Sequence, residues 1–187
     1  MGLGLLREGV NEVIATTFGN AAPMGIIVRD SEARMVVFRQ SHTAGRIEEY
    51  GWVVANILFD PVLYVRTAFE DLPPSSFVDI TVAGIPMQHL AGAEGYVAFR
   101  ASVERRTTER LMVRLEPLKE ELVTSEVHPV NRGFSSVIEA TVHATRYLIF
   151  RDPELRVWIN HHAAIVRKCG GPRELEALRL LLTYIGE

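Results

Sequence analysis

Cysteine is almost absent from this chain of 187 residues, whose single thiol is Cys169. One cysteine excludes an intramolecular disulfide framework, a four-cysteine zinc site and an iron–sulfur cluster held by the chain's own thiolates. A chain of this length can bury a sufficient apolar core without such cross-links. Because the chain cannot form an intramolecular disulfide, we expect the protein to be cytoplasmic.

Long apolar runs and a large excess of one charge are also missing. The most apolar stretch, residues 51–65, is interrupted by Asp60 and Pro61, so it falls short of the roughly 18 continuous apolar residues that predict a membrane-spanning helix. The formal net charge is −3, unlike the strongly basic balance of most nucleic-acid-binding proteins. We therefore expect neither a membrane nor a nucleic acid as a partner.

Several catalytic motifs are missing from the sequence. It contains no P-loop ending in Gly-Lys-Ser/Thr, no Gly-x-Gly-x-x-Gly, no His-Glu-x-x-His and no Gly-x-Ser-x-Gly. The adjacent residues His161 and His162 would point about 100° apart on a helix, so both cannot face one metal ion without ligands from elsewhere. We expect a packed or solvated pair and no metal site, and no residue stands out as a catalytic acid or base.

The first two thirds of the chain show the period-2 alternation and apolar runs that predict β-strands. The predicted strands are residues 12–17, 22–29, 35–38, 51–58, 96–106 and 110–116. The turn Phe18-Gly-Asn20 separates the first two, and residues 106–109 form a second predicted hairpin turn. The run at 51–58 is nearly all apolar, which is typical of a strand buried on both faces.

Beyond about Pro129 the apolar residues recur with the period of a helix. The predicted helices are residues 132–150, 153–168 and 172–185. Strands followed by helices, without βαβ alternation, indicate a mainly β protein of the α+β class. We divide the chain into a β-domain, residues 1–127, and a C-terminal three-helix region, residues 128–187.

The first of these helices carries one polar stripe, although most of its surface is apolar. The stripe consists of Arg132, Ser136, Glu139, His143 and Arg146. These residues could pair with one another at i,i+4 spacing or face solvent. Alternatively, Arg132, His143 or Arg146 could line a pocket for an anionic ligand. Periodicity alone leaves both interpretations open.

Two segments between Thr16 and Asn56 are rich in ligand-binding residue types. The first segment, residues 15–25, contains two hydroxyl side chains, a turn with Asn and a run of small residues. Small residues would let a flat ligand approach the backbone. The second, residues 39–46, follows a strand with two hydroxyls, two guanidinium groups and a small-residue turn, a composition suited to holding phosphate. Each segment alone could also be simple turn chemistry or the start of a helix.

In this order the segments resemble a known family. Thr16-Thr17, Asn20-Ala-Ala-Pro-Met-Gly25, Ser41-x-Thr43-x-x-Arg46-Ile47 and Gly51-Trp-Val-Val-Ala-Asn56 are similar to the flavin-reductase-like FMN-binding split barrels. With Asp60-Pro61 and the helix segment Ile138-Glu-Ala-x-Val-His-Ala-Thr-Arg146, the chain more narrowly resembles an archaeal split-barrel family of unknown function. One departure is Arg46, where flavin-reductase-like barrels commonly have Asn.

The resemblance implies a homodimer of split β-barrels with FMN near the subunit interface and a C-terminal helical region. Ser41 and Thr43 would bond the phosphate, Arg46 would offset part of its charge, and the segment 20–25 with Thr16 and Thr17 would border the ring or ribityl chain. The residues assigned to the cofactor site are Thr16, Thr17, Asn20, Ala21, Ala22, Pro23, Met24, Gly25, Arg39, Ser41, His42, Thr43, Arg46 and Asn56.

The resemblance also implies an oxidoreductase of flavin-reductase type with an unknown substrate. Its electron donor would be a reduced nicotinamide or a deazaflavin. The alternative is a protein that binds flavin, haem or deazaflavin without turnover, as a carrier or sensor. The sequence gives no catalytic constellation that would decide between the two.

Overall fold

The computed structural model describes residues 4–186, and the first part of the chain is built from β-strands. In chain order the strands are β1 (Gly9–Thr17), β2 (Asn20–Arg29), β3 (Glu32–Phe38), β4 (Trp52–Ile57), β5 (Phe77–Val82), β6 (Ile85–Leu90), β7 (Gly95–Arg106) and β8 (Arg110–Leu122). Six of them close an antiparallel barrel in the order β1-β2-β3-β8-β7-β4, and β5 pairs with β6 separately. The six predicted strands are confirmed and together form this barrel.

Alternate residues of each barrel strand point into the interior, as the pleat requires. The buried side chains that fill the barrel include Val13, Ala15, Ile26, Met35, Val37, Val53, Ala55, Val97, Phe99, Leu111 and Val113. Strand β8 continues past the predicted end at residue 116, because a register shift opposite Ala98 and Phe99 lets it keep pairing with β7.

Strand β4 is buried on both faces, as predicted. Its inward residues belong to the barrel core, and its outward Trp52 and Val54 pack in one cluster with Val82 and Met87 of the β5–β6 hairpin. The sequence did not predict this hairpin. Its two-residue loop is Ala83-Gly84 with φ of 51° and 78°, the conformation of a type I′ turn, in which alanine is uncommon.

Helix α1 (His42–Tyr50) follows β3 directly and belongs to the barrel unit. Its apolar side chains Ala44 and Ile47 are buried in the barrel core. Ser41 caps its first turn, and Gly51 ends it in the left-handed conformation at φ 68°. The segment after the third strand, which the sequence left open between a turn and a helix start, is therefore the start of a helix.

Four more α-helices follow within the described residues: α2 (Pro61–Phe69), α3 (Arg132–Phe150), α4 (Pro153–Cys169) and α5 (Pro172–Tyr184). The three predicted C-terminal helices are confirmed to within one residue at each end. Helix α2 was not predicted, because Asp60-Pro61 was interpreted only as the end of a strand. In the structure Asp60 is the N-cap of α2, accepting hydrogen bonds from the main-chain N–H groups of Val62 and Leu63.

The chain divides into two compact units by its internal contacts. The barrel unit takes the described residues up to Leu58 together with Leu72–Glu126, and the helical unit takes Phe59–Asp71 and the residues from Val127 onward. The helical unit thus includes α2, whose Val62 and Val65 pack in one core with side chains of α3, α4 and α5. Within residues 4–186, no helix is both long and apolar enough to cross a membrane.

Candidate functional site

The β1–β2 turn and the start of α1 bring three predicted site residues together. Asn20 Nδ2 donates to Thr43 Oγ1 at 3.0 Å and, more weakly, to Thr17 Oγ1 at 3.5 Å. Thr17 pairs with Asn20 at the end of the hairpin, and Thr43 lies in the first turn of α1. All three side chains are buried, so these hydrogen bonds hold the turn against the helix.

The N-terminal end of α1 has the chemistry of an anion site. Ser41 Oγ donates to Phe38 O at 2.7 Å and accepts from Ala44 N at 3.2 Å, so it already serves the helix as its cap. The first N–H groups of a helix lack partners within the helix, and its dipole favours a negative charge there. The first N–H groups of α1 and the Thr43 hydroxyl therefore lie where a phosphate would be stabilised, while the proton of Ser41 is bonded to Phe38 O.

Arg46 lies one turn further along α1. Its Nη1 is 3.4 Å from Glu49 Oε2, and its Cζ is 5.8 Å from the ring centroid of Tyr50. Tyr50 stacks in turn on Phe18, with ring centroids 5.0 Å apart. Because the Arg46 side chain is 42% exposed, its pairing with Glu49 is worth little and leaves the guanidinium able to bind a second anion.

A groove of about 390 Å³ lies beside Phe18 in the barrel unit. It is lined by Phe18, Asp79, Ile80, Thr81, Pro86, Met87 and Gln88. Gln88 holds one wall in place, since its Oε1 accepts from Gly19 N and its Nε2 donates to Asp79 Oδ1, both at 2.8 Å. Apolar surface with a few fixed polar groups is typical of a small-molecule site.

Thr16 and Asn56 form a second buried polar group, distinct from the Thr17–Asn20–Thr43 group. Asn56 Nδ2 donates to Ile14 O at 2.8 Å and to Thr16 Oγ1 at 3.1 Å, while its Oδ1 accepts from Leu90 N at 2.7 Å. Thr16 Oγ1 donates to Gln88 O at 2.6 Å. These bonds tie β1 and β4 to β6, so both side chains are already engaged with the protein itself.

The small-residue segment 20–25 forms the first half of β2. Met24 packs against the barrel core, and strand alternation places Ala21, Pro23 and Gly25 on the other face while Ala22 shares the face of Met24. A Cβ on Gly25 would lie 3.0 Å from Val10 Cγ1 of the neighbouring strand. Packing against β1 is therefore enough to explain this glycine without a ligand.

Two further predicted residues lie at the edges of this region. Arg39 donates from Nη1 to Thr107 O at 3.3 Å and so reaches the β7–β8 turn. His42 is the first residue of α1 and is exposed. Arg39 is thus engaged with a different part of the barrel from Asn20 and Thr43.

The polar stripe of α3 is largely exposed, in line with one of its two interpretations. Arg132, Glu139 and Arg146 are exposed, whereas Ser136 is buried and His143 is half-buried against α4. Of the adjacent histidines, His162 is half-buried and His161 is exposed. Burial lowers the pKa of both His143 and His162 below the usual histidine value.

Two family models match this chain, one for each part of the fold. Residues 11–124 match the N-terminal domain of a protein of unknown function, DUF447, and residues 131–183 match a second model of the same protein of unknown function. The chain belongs to the DUF447 family. The resemblance seen in the sequence is thereby confirmed for most of the DUF447 chain.

Solved structures include a close relative of this DUF447 chain. An FMN-bound DUF447 protein of Methanosarcina mazei, an archaeon, is 34% identical, with 95% of each chain covered and a TM-score of 0.90. The flavin reductase HpaC, complexed with NADP⁺, is 14% identical over 64% of this chain and 83% of its own, with a TM-score of 0.48. Nitrilotriacetate monooxygenase component B of Bacillus cereus is 17% identical over 68% and 75%, with a TM-score of 0.45. The last two are too distant to carry an argument about function.

Three side chains around the candidate site of this DUF447 protein were not predicted from the sequence. Phe18 and Tyr50 stack at the edge of the groove, and Gln88 forms its wall. Phe18 was detectable as a large aromatic residue inside a turn, and Tyr50 as an aromatic one turn after Arg46 on a helix. Gln88 gave no signal, because the hairpin that carries it was not predicted.

Proposed function

We propose that the protein binds FMN, with the phosphate at the N-terminal end of α1. The observation that carries this proposal is the membership of the chain in the DUF447 family, of which the Methanosarcina mazei protein is FMN-bound. The residues present fit such a group, since the helix N-terminus, the Arg46 guanidinium and the Thr43 hydroxyl, which accepts from Asn20, offer donors to a dianionic phosphate. Ser41 would join them by turning its proton away from Phe38 O.

The phosphate would be held by Ser41, Thr43 and Arg46. Asn20 supports this arrangement by fixing the Thr43 hydroxyl through its 3.0 Å hydrogen bond, so that the hydroxyl is positioned before the ligand arrives. Arg46 would keep Glu49 as a neighbour and add a charge-assisted hydrogen bond to the phosphate.

The ring and ribityl chain would border the β1–β2 turn and the small-residue half of β2. Two features support this placement: the backbone of residues 21–25 carries little side-chain bulk, and the groove beside Phe18 offers apolar surface with the amide of Gln88. Thr16 and Asn56 would support the site indirectly, because their hydrogen bonds to β6 hold Gln88 in place. Arg39 and His42 would lie at the edge of the cofactor site.

We further propose that the protein is an oxidoreductase of flavin-reductase type, using a reduced nicotinamide or a deazaflavin as its electron donor. FMN, when bound, supplies hydride and one-electron chemistry that no side chain can supply. The residues of this chain would bind the cofactor, orient it and keep its phosphate end fixed. The openness of the groove at Phe18, whose side chain is 49% exposed, favours access by a second molecule.

The reaction can be tested by mixing the FMN-loaded protein anaerobically with NADH, NADPH or a reduced deazaflavin and following the visible flavin absorption. An oxidoreductase is expected to lose this absorption with one of the donors and to regain it when an acceptor is added. Bound FMN that none of the three donors reduces, although dithionite does, would favour the non-catalytic alternative.

We also propose that the protein is a homodimer. The outer face of the barrel exposes neighbouring apolar side chains, and such a patch is typical of a protein–protein interface. Val36 of β3 pairs across the sheet with Met112 of β8, and Phe38 follows on the same face. Light scattering during gel filtration measures the mass directly. A dimer should become monomeric in the Val36→Lys variant, whereas a wild-type monomer contradicts the proposal.

A further inference from the structure

Three potential metal ligands meet on the helical unit. Glu139 and His143 lie one turn apart on α3, and His162 lies on α4. Each offers one ligand atom, and these atoms all lie within 4.8 Å of one another. The two imidazole rings are stacked with centroids 5.8 Å apart. Two histidines and a carboxylate from two helices therefore lie close together.

Both imidazoles contain a nitrogen that the protein leaves unsatisfied. Within the described residues, Nδ1 of His143 and Nδ1 of His162 are buried and have no hydrogen-bond partner. Native proteins rarely leave buried polar atoms in this state, and such an atom calls for a specific explanation, such as a bound ion. An imidazole nitrogen with a free lone pair is the commonest protein ligand of transition metals.

We propose that Glu139, His143 and His162 bind one divalent first-row transition cation. Two histidines and one carboxylate are a recurring ligand set for Zn²⁺ and for non-haem Fe²⁺, with the remaining coordination positions open to water or a substrate. Its residues belong to the helical unit, and the proposed cofactor residues belong to the barrel unit.

The geometry needs only a small adjustment to hold the ion. Metal–ligand bonds of about 2.0–2.2 Å in a tetrahedral site place the ligand atoms roughly 3.4 Å apart. Side-chain rotation can close the gap from 4.8 Å, since Glu139 is exposed and both rings are only half-buried. Arg146 lies near His143 and opposes a cation, and the Glu139 carboxylate offsets that charge.

The neighbouring His161 provides a matched control. It follows Asn160 on the exposed side of α4, and its ring meets Trp158 and His162 edge-on rather than joining the three ligands. Replacing it removes a histidine from the same helix while leaving the three proposed ligands intact.

The test is equilibrium dialysis of the chelator-treated full chain against Zn²⁺ and, anaerobically, against Fe²⁺, with bound metal counted by mass spectrometry. The wild type and His161→Gln should each hold one equivalent. Glu139→Gln, His143→Gln and His162→Gln should each weaken binding by at least about 100-fold, since changes even to outer-shell partners cost 10- to 100-fold. The cation held more tightly identifies the site as a zinc or an iron site.

Two results would overturn the proposal: a wild type that holds neither cation, or equal loss of binding in His161→Gln. Because Glu139 is exposed, Glu139→Gln should fold normally and tests the site even if a histidine variant does not. X-ray absorption of the metal-loaded wild type gives a second readout, because two imidazole ligands produce a characteristic scattering pattern that an adventitious surface ion lacks.

Discussion

Asn56 shows how a single buried amide can hold two layers of the barrel unit together. Both ends of its side chain are used: Nδ2 donates to Ile14 O at 2.8 Å and Oδ1 accepts from Leu90 N at 2.7 Å. Its side chain is fully buried, so water cannot replace either bond. At the residue scale, the strongest constraints near the candidate site therefore come from buried polar atoms rather than from surface charges.

Replacing Asn56 with Ala should destabilise the fold by about 2 kcal/mol, because it leaves the buried Leu90 N–H without its side-chain acceptor and removes one donor from Ile14 O. Urea unfolding followed by circular dichroism measures this directly. The exposed Asn160→Ala serves as the control and should change stability by less than about 0.5 kcal/mol. A loss for Asn56→Ala no larger than the control's would contradict a structural role for this amide.

Arg46 is expected to act on the ligand rather than on the fold. Its exposed pairing with Glu49 contributes little, so Arg46→Ala should barely affect unfolding but should weaken FMN binding by about 1.5–3 kcal/mol, or roughly 10- to 150-fold. Fluorescence titration with FMN gives the affinity. Arg100→Ala, which removes a similarly exposed arginine paired with Glu116, should bind FMN as the wild type does. Equal affinities for the two variants would remove Arg46 from the site.

Residue types near the site could be chosen from the sequence, but their roles could not. Thr16 and Asn56 were assigned to the cofactor site through the resemblance, and the structure shows that they bond to Gln88 and Leu90 of β6, more than thirty residues later in the chain. A contact between residues so far apart in the chain produces no recognisable pattern in the local sequence. Thr17, Asn20 and Thr43, by contrast, do come together as the shared assignment expected.

Among the secondary-structure elements, those with a clear apolar periodicity and clear boundary residues could be predicted from the local sequence. The barrel strands and the last three helices follow from alternation and from Gly-Pro boundaries, and the structure confirms them. The missed elements are short: α1 and α2 have nine residues each, and β5 and β6 have six. Such short segments depend on tertiary packing for their stability, as α1 does by burying Ala44 and Ile47 in the barrel.

The packing of α5 against α2 should make the stability of the helical unit depend on alkaline pH. Tyr184 stacks on Phe69 with centroids 4.8 Å apart, and burial, together with the charge of Glu70, raises the pKa of its phenol to about 12. The unfolded chain releases this proton near pH 10, so folding is favoured by Tyr184 below that pH and loses this contribution as the pH rises toward 12.

Tyr184→Phe keeps the ring but removes the proton. Between about pH 9 and pH 11 the wild type should therefore lose about 1 kcal/mol more unfolding free energy than the variant, as measured by urea titration at each pH. Parallel pH profiles for the two proteins would show that the phenol is not held in its neutral form by the fold.

At the scale of the whole molecule, the two units share one family but carry different chemistry. Both match DUF447 models, and the relative from Methanosarcina mazei covers 95% of the chain. The hydroxyl-lined end of α1 belongs to the barrel unit, while the two histidines and Glu139 belong to the helical unit.

FMN binding can be measured with an absorption spectrum of the protein purified without added cofactor, repeated after FMN is added and unbound FMN is removed by gel filtration. Apoprotein has no bands in the visible region, whereas bound flavin does. FMN binding predicts flavin absorption that elutes with the protein and saturates at one FMN per chain. A spectrum that stays blank after FMN is supplied would contradict it.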